Sequence, residues 1–332
     1  MRTHAIAYAL LSAALFGAST PLAKLLVGGV APLALAGVLY LASGVGLGIG
    51  VLLRRRPVGL KGDDWRWLAA AIAAGGIAAP ALLMYGLRGT DASTASLLLN
   101  FEAVFTAVLA WLAFRENVDR RVFAGMLAIV AGGVLLSWQQ APRMADAAGP
   151  LLIAAACLAW ALDNNLTRRI SGGDAVTLAA LKGLVAGAVN FALALAMGAY
   201  VPAPGALMLA GLVGLLGYGI SLVLFIVALR DLGTARTSAY FSVAPFFGAA
   251  IGLVLLGEQT DAAFWGAAAL MALGVWLHLG ERHEHEHVHD EHHQHAHDGG
   301  SDGGQPHSHV HEHRRLRHRH PHYPDLHHRH RH

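Results

Sequence analysis

From the N-terminus onward, long apolar runs alternate with short polar connections. Runs almost free of charge cover 5–27, 31–53, 65–87, 92–114, 121–139, 149–167, 175–198, 205–229, 235–256 and 261–280. Each approaches the roughly 20 residues that a helix needs to cross about 30 Å of hydrocarbon. Barrel strands alternate apolar and polar positions, and these runs do not. The pattern predicts an all-α integral membrane protein of about ten transmembrane helices. The first run has Arg2 ahead of it and Gly17-Ala18-Ser19 within it, as a secretory leader would. Its apolar character continues through Val27 and it has a counterpart later in the chain, so it reads as the first span.

Charge sharpens this picture. Residues 1–280 hold only 29 charged side chains, whereas the last 52 residues hold 16 charges and 19 of the 21 histidines. The chain is an apolar body with a polar tail. With the N-terminus placed inside, the cytoplasmic connections and ends carry 13 basic residues, among them Arg54-Arg55-Arg56, Arg115, Arg120, Arg121, Arg168 and Arg169. The opposite loops carry only Arg88 and Arg143. That bias predicts cytoplasmic termini at a bacterial inner membrane. The basic residues are dispersed at helix ends, so no nucleic-acid partner is expected. Cys157 is the single cysteine, which leaves no disulfide within the chain. No glycine-rich phosphate loop followed by lysine occurs. The Gly44/Gly48, Gly46/Gly50 and Gly183/Gly187 pairs read as helix-packing positions instead. The chain is not expected to be an enzyme.

The body repeats itself. Phe16-Gly17, Leu22, Lys24 and Gly28-Gly29 match Trp160-Ala161, Leu166, Arg168 and Gly172-Gly173 at a spacing of 144. Ser96, Phe105, Glu116 and Asp119 recur as Ser238, Phe247, Glu258 and Asp261 at 142. Residues 1–140 and 149–280 are thus two five-helix repeats, followed by the tail at 281–332. Five is odd, so the second repeat enters the membrane from the other side. Accordingly Phe114-Arg115-Glu116 becomes Leu256-Gly257-Glu258, losing its arginine and keeping its glutamate. Inverted repeats are the architecture of many secondary transporters, with the site near the midplane between the halves.

Three stretches carry a family likeness: Phe16-Gly17 with Lys24; Ser96, Phe105 and Arg115-Glu116; and Tyr240-Phe241-Ser242, Pro245-Phe246 and Gly257-Glu258. Over residues 5–280 the chain resembles the EamA-like family of the drug/metabolite transporter superfamily. The resemblance implies alternating access and small organic substrates such as amino acids, nucleobases or drugs, often with proton coupling. It also marks a departure. Members often carry proline in the middle of the fourth span, as Pro245 stands in the ninth, whereas here the stretch is Asn100-Phe101-Glu102-Ala103.

Charges within a membrane are costly and default to functional candidates. Glu102 lies about ten residues into the fourth span, roughly 15 Å deep. It is a candidate proton or substrate-ammonium site. Lys182 lies roughly 10 Å in from the other side and is expected to pair with Glu102 or with a substrate carboxylate. Asn100, Tyr218 and Tyr240 are candidates to line a cavity, with Asn190, Ser221 and Ser242 beside them. Such groups also serve as hydrogen bonds between helices. Asp163 reads as interfacial, and Lys24 and Arg168 read as interface anchors.

The tail has almost no core-forming residues and is expected to be disordered. Its histidines are candidate ligands for Zn, Ni, Co or Cu: His283, His285, His287, His289, His292, His293, His295, His297, His307, His309, His311 and His313. Several weak sites are expected and no cofactor is required. His285-Glu286-His287-Val288-His289 fits a zinc-protease motif by letter, yet His/Glu alternation generates that match without an ordered helix. The function expected is a secondary transporter of a small metabolite or drug-like compound. The alternative is a transition-metal transporter or metal-regulated permease that uses the tail. Histidine is absent from the depths of the spans, which disfavours the metal alternative.

Overall fold

The computed structural model describes residues 2–54, 62–114, 120–140, 148–170, 174–232, 237, 240–279, 283–287 and 316–320. Arg55, Arg56, Arg115, Glu116, Arg143, Arg236 and the histidines from His289 to His313 lie outside them. Residues 1–279 form one compact unit and 280–332 another.

Among the described residues, ten helical spans make up the first unit. Arg2–Val27, Pro32–Arg54, Arg120–Gln140, Ala148–Arg169 and Ala175–Ala196 are the first, second, fifth, sixth and seventh. The third runs without a gap through Asp64–Ala71, a π-helical stretch at Ile72–Ala78, and Ala79–Gly86. The eighth does the same through Pro204–Gly214, a π stretch at Leu215–Ile220, and Ser221–Leu232. The fourth is interrupted between Ala92–Leu98 and Phe101–Phe114, where a single run over 92–114 was expected. Ala244–Leu256 belongs to the ninth and Ala262–Leu279 is the tenth. Among the described residues eight helices are long and apolar enough to cross a membrane, with Ala244–Leu256 and Ala262–Leu277 shorter. The outer surface is apolar, with Leu53 80% and Val254 87% exposed, as a lipid-facing wall requires. Helix starts are capped where the sequence supplies an acceptor. Asp174 accepts the Thr177 amide at 3.0 Å, and Asp261 accepts the Phe264 amide at 2.9 Å.

Packing follows the repeat. The second span lies along the seventh, the fourth against the ninth, and the fifth against the tenth. The first packs on the eighth and ninth, while the sixth, its equivalent, packs on the third and fourth. Each pairing maps onto itself or onto another when the repeats exchange, as an inverted pair requires. The interruptions obey the same exchange. The π stretches fall in the third and eighth spans, and turns at Leu99-Asn100 and Ser242-Val243 fall in the fourth and ninth.

Three of these interruptions have a local cause. Pro80 cannot donate to Gly76, and the wider π turn before it accommodates the ring. Pro245 follows the turn in the ninth span in the same way. The fourth span turns at the equivalent place without a proline. There Asn100 Nδ2 donates to the Leu97 carbonyl at 2.8 Å, and the Cys157 thiol faces the Leu98 carbonyl at 3.7 Å. The departure from the family pattern therefore leaves the break intact.

In the second unit, His283–His287 and Leu316–His320 pair antiparallel, with His283 opposite His320 and His287 opposite Leu316. An isolated two-stranded ribbon is marginally stable in water.

The second and seventh spans approach through glycine. A Cβ at Gly183 would stand 2.8 Å from the Gly44 Cα and 3.0 Å from the Tyr40 carbonyl oxygen, whereas one at Gly50 would meet nothing within 4 Å. Gly183→Val is expected to cost about 1–3 kcal/mol in reversible unfolding in detergent. Gly50→Val is expected to cost under about 0.5 kcal/mol. Equal losses would show that the pairing does not depend on close approach.

Candidate substrate site

The fourth span resumes at Phe101, which puts Glu102 in the first turn of the new segment. An acidic side chain suits that position, because the first turn presents unpaired amides. Glu102 is half-buried, and its Oε1 accepts Asn164 Nδ2 of the sixth span at 2.8 Å. Asn164 also reaches Thr106 Oγ1 at 3.4 Å, and Asn165 donates to the Ala161 carbonyl at 2.9 Å. Among the described residues no cation pairs with Glu102; the ion pairs there are Arg66–Asp63 and Lys182–Asp163.

That second pair corrects one expectation. Lys182 does not meet Glu102. Its Nζ lies 2.5 Å and 2.7 Å from the two oxygens of Asp163 and 3.3 Å from Thr167 Oγ1. Asp163 is buried. It fits because Gly75 faces it, where any Cβ would collide with the carboxylate. Adjacent residues of the sixth span therefore serve different neighbours: Asp163 meets the seventh and third, and Asn164 meets the fourth.

The carbonyls around the third-span π stretch organise the remaining polar groups. Gly75 O accepts Trp160 Nε1 at 3.0 Å and the Tyr40 hydroxyl at 3.2 Å. Trp160 Nε1 also lies 3.3 Å from the Tyr40 oxygen. Asn190 is fully buried and donates to Gly76 O and Ile77 O at 3.3 Å each. Beyond Tyr40 an aromatic string crosses to the other repeat. Ring centroids are 5.5 Å apart for Tyr40–Tyr218, 5.8 Å for Phe16–Tyr218, 5.4 Å for Phe16–Phe241 and 5.0 Å for Phe225–Phe241.

The structure thus sorts the candidates. Glu102 meets Asn164 across the repeats, and Tyr218 belongs to the aromatic string that joins Tyr40 to Phe16 across them. Asn100 is committed to the turn, and Lys182 is neutralised by Asp163. Tyr240 is half-buried at the described start of the ninth span. Ser221 is tied to Ser12, whose Oγ donates to its carbonyl at 2.7 Å. Lys24 donates to the Leu87 and Thr90 carbonyls. Sequence reading missed Tyr40 and Asn164 as partners. It met Phe16 and Trp160 only as landmarks of the repeat, although a matched aromatic pair at 144 residues was the available signal. A separate cavity of about 90 Å³ between the first and eighth spans, lined by Leu15, Leu212, Leu216 and their neighbours, has no charged wall. Of the expected metal ligands, only His283, His285 and His287 fall among the described backbone positions.

A sequence model of the EamA-like transporter family matches residues 3–138 and 147–280, one match per repeat. An uncharacterized transporter of Methanothermobacter thermautotrophicus is 26% identical over 284 residues, covering 79% of this chain and 82% of its own. A solved crystal structure superposes with a TM-score of 0.61 at 18% identity, covering 83% of this chain and 96% of that one. At that identity it shows the fold alone.

Lys182→Met strands the Asp163 carboxylate in a site only 9% exposed, and is expected to destabilise the protein by about 3–5 kcal/mol. The double variant Asp163→Asn with Lys182→Met should recover most of that loss. A double-mutant cycle by unfolding in detergent checks it, and additive losses would show that the two groups do not act as a pair.

Proposed function

Because the chain belongs to the EamA-like transporter family and is a multi-pass membrane transporter, we propose that it is a secondary permease or exporter. It moves a small metabolite or drug-like organic compound by alternating access. Its place is the inner membrane of a bacterium, with both termini in the cytoplasm. The observation that carries this reading is the exchange symmetry of the packing. The main pairings between repeats have inverted mates, which is the architecture that supports alternating access about a site between the halves.

Glu102 is the proton or substrate-ammonium site of this reading. It stands where a span is interrupted, between the repeats, with a neutral amide at 2.8 Å and no cation paired to it among the described residues. A carboxylate held this way can exchange a proton or accept an ammonium group without first breaking an ion pair. Asp163 cannot do so while Lys182 occupies both of its oxygens. Tyr40, Tyr218 and Phe16 offer apolar faces and two hydroxyls to the remainder of a compound.

Proteoliposomes carrying the full chain and a chain ending at residue 280 test the reading against amino acids, nucleobases and Zn, Ni and Co. Organic flux that survives truncation is expected, and Glu102→Gln should lower it at least about tenfold while flattening its dependence on pH. Unaltered flux and pH dependence in Glu102→Gln would end the proton-site assignment. Flux of metal alone, or organic flux that needs both metal and tail, would replace the reading with a metal-linked transporter.

A further inference from the structure

The connection between the third and fourth spans is gripped by charged side chains from two other spans. Lys24, near the end of the first, donates from Nζ to the carbonyl oxygens of Leu87 at 2.6 Å and Thr90 at 2.9 Å. Glu258, just beyond the ninth, accepts the backbone amides of Ala92 at 2.6 Å and Ser93 at 2.8 Å through separate oxygens. A cation therefore meets carbonyls where one helix ends, and an anion meets amides where the next begins. That is the polarity each helix end favours. The N-cap residue Asp91 supplies no capping bond to its own helix, so the cap comes from the other repeat.

Glycines bring these parts together. Gly257 has φ of 63°, the left-handed turn that redirects the chain from the ninth span into Glu258. A Cβ at Gly252 would stand 2.9 Å from the Ser93 nitrogen, and one at Gly149 would stand 2.9 Å from the Gly89 carbonyl oxygen. The first, sixth and ninth spans thus converge on Leu87–Ser93 and shut this face.

We infer that Lys24 and Glu258 form a latch that holds one face of the transporter shut. The inference rests on the alternating-access reading above. It adds groups that would hold one state, and it assigns function to two charges that lie outside the substrate path. A carboxylate and an ammonium suit such a latch, because backbone groups released from them are freed at the membrane surface, where water can receive them.

The test uses the full chain with Cys157→Ala and a single reporter, Phe241→Cys, reconstituted in vesicles and labelled from either side with a membrane-impermeant maleimide. Charge-assisted hydrogen bonds of this kind shift a two-state population by about tenfold. Glu258→Gln and Lys24→Met should each raise labelling about tenfold from the face bearing Leu87–Ser93. Lys24→Arg, which keeps charge and donors, should stay near the parent. If Glu258→Gln does not fold, Lys24→Met reads the same latch from its other half. Unchanged labelling, or an equal rise from both faces, would reduce these residues to helix caps and overturn the inference. A face-selective rise without flux of any compound would leave the latch standing and remove the transport reading. Flux with unchanged labelling would do the reverse.

Discussion

Hydrocarbon offers a peptide group no partner, so every amide or carbonyl released from a helix inside a membrane must be met by the protein itself. Among the described residues the spans are interrupted at four places, and side chains donate to carbonyls near three of them. Around the third-span π stretch, Trp160, Tyr40 and Asn190 donate to Gly75, Gly76 and Ile77. At the fourth-span turn, Asn100 donates to Leu97. Just after the eighth-span π stretch, Ser12 donates to Ser221. Trp160, Tyr40, Asn190, Asn100 and Ser12 are thereby committed to the backbone. Glu102 stands out because its neighbour is a single neutral amide.

Symmetry is a property of the packing and not of the chemistry. Glycines allow the second and seventh spans to approach, and they seat the fourth against the ninth, where Gly252 faces Ser93. These contacts exchange under inversion, and so do the interruptions. The polar groups do not. Asp163 of the sixth span corresponds at a spacing of 144 to Ser19 of the first, and no charged pair stands there. Two repeats therefore share one packing design while their polar side chains differ.

The latch and the buried ion pair use charge differently. Lys182 and Asp163 lie among packed helices, where separating them leaves an uncompensated charge, so they act as a fixed strut. Lys24 and Glu258 bind backbone groups at helix ends, where release hands both partners to water. The first arrangement suits permanence and the second suits exchange.

The apolar run lengths, the basic bias of alternate loops and the repeats at 144 and 142 residues made the spans and their inversion legible, because each reflects a one-dimensional constraint: bilayer thickness, loop charge or duplication. Glu102 was legible for the same reason, since a carboxylate deep in an apolar run is costly wherever its neighbours lie. Partnership was not legible. Sequence depth suggested Lys182 for Glu102, and the structure gave Lys182 to Asp163 and Glu102 to Asn164, because rotation of a helix about its axis decides which residue faces which neighbour. The fourth-span break was hidden as well, for its cause is an asparagine where proline was the expected signal. The sequence by itself determined how many helices cross and which residues do not belong in lipid. Tertiary structure alone decided which of those residues satisfy one another, because that depends on contacts between distant spans that no local pattern encodes.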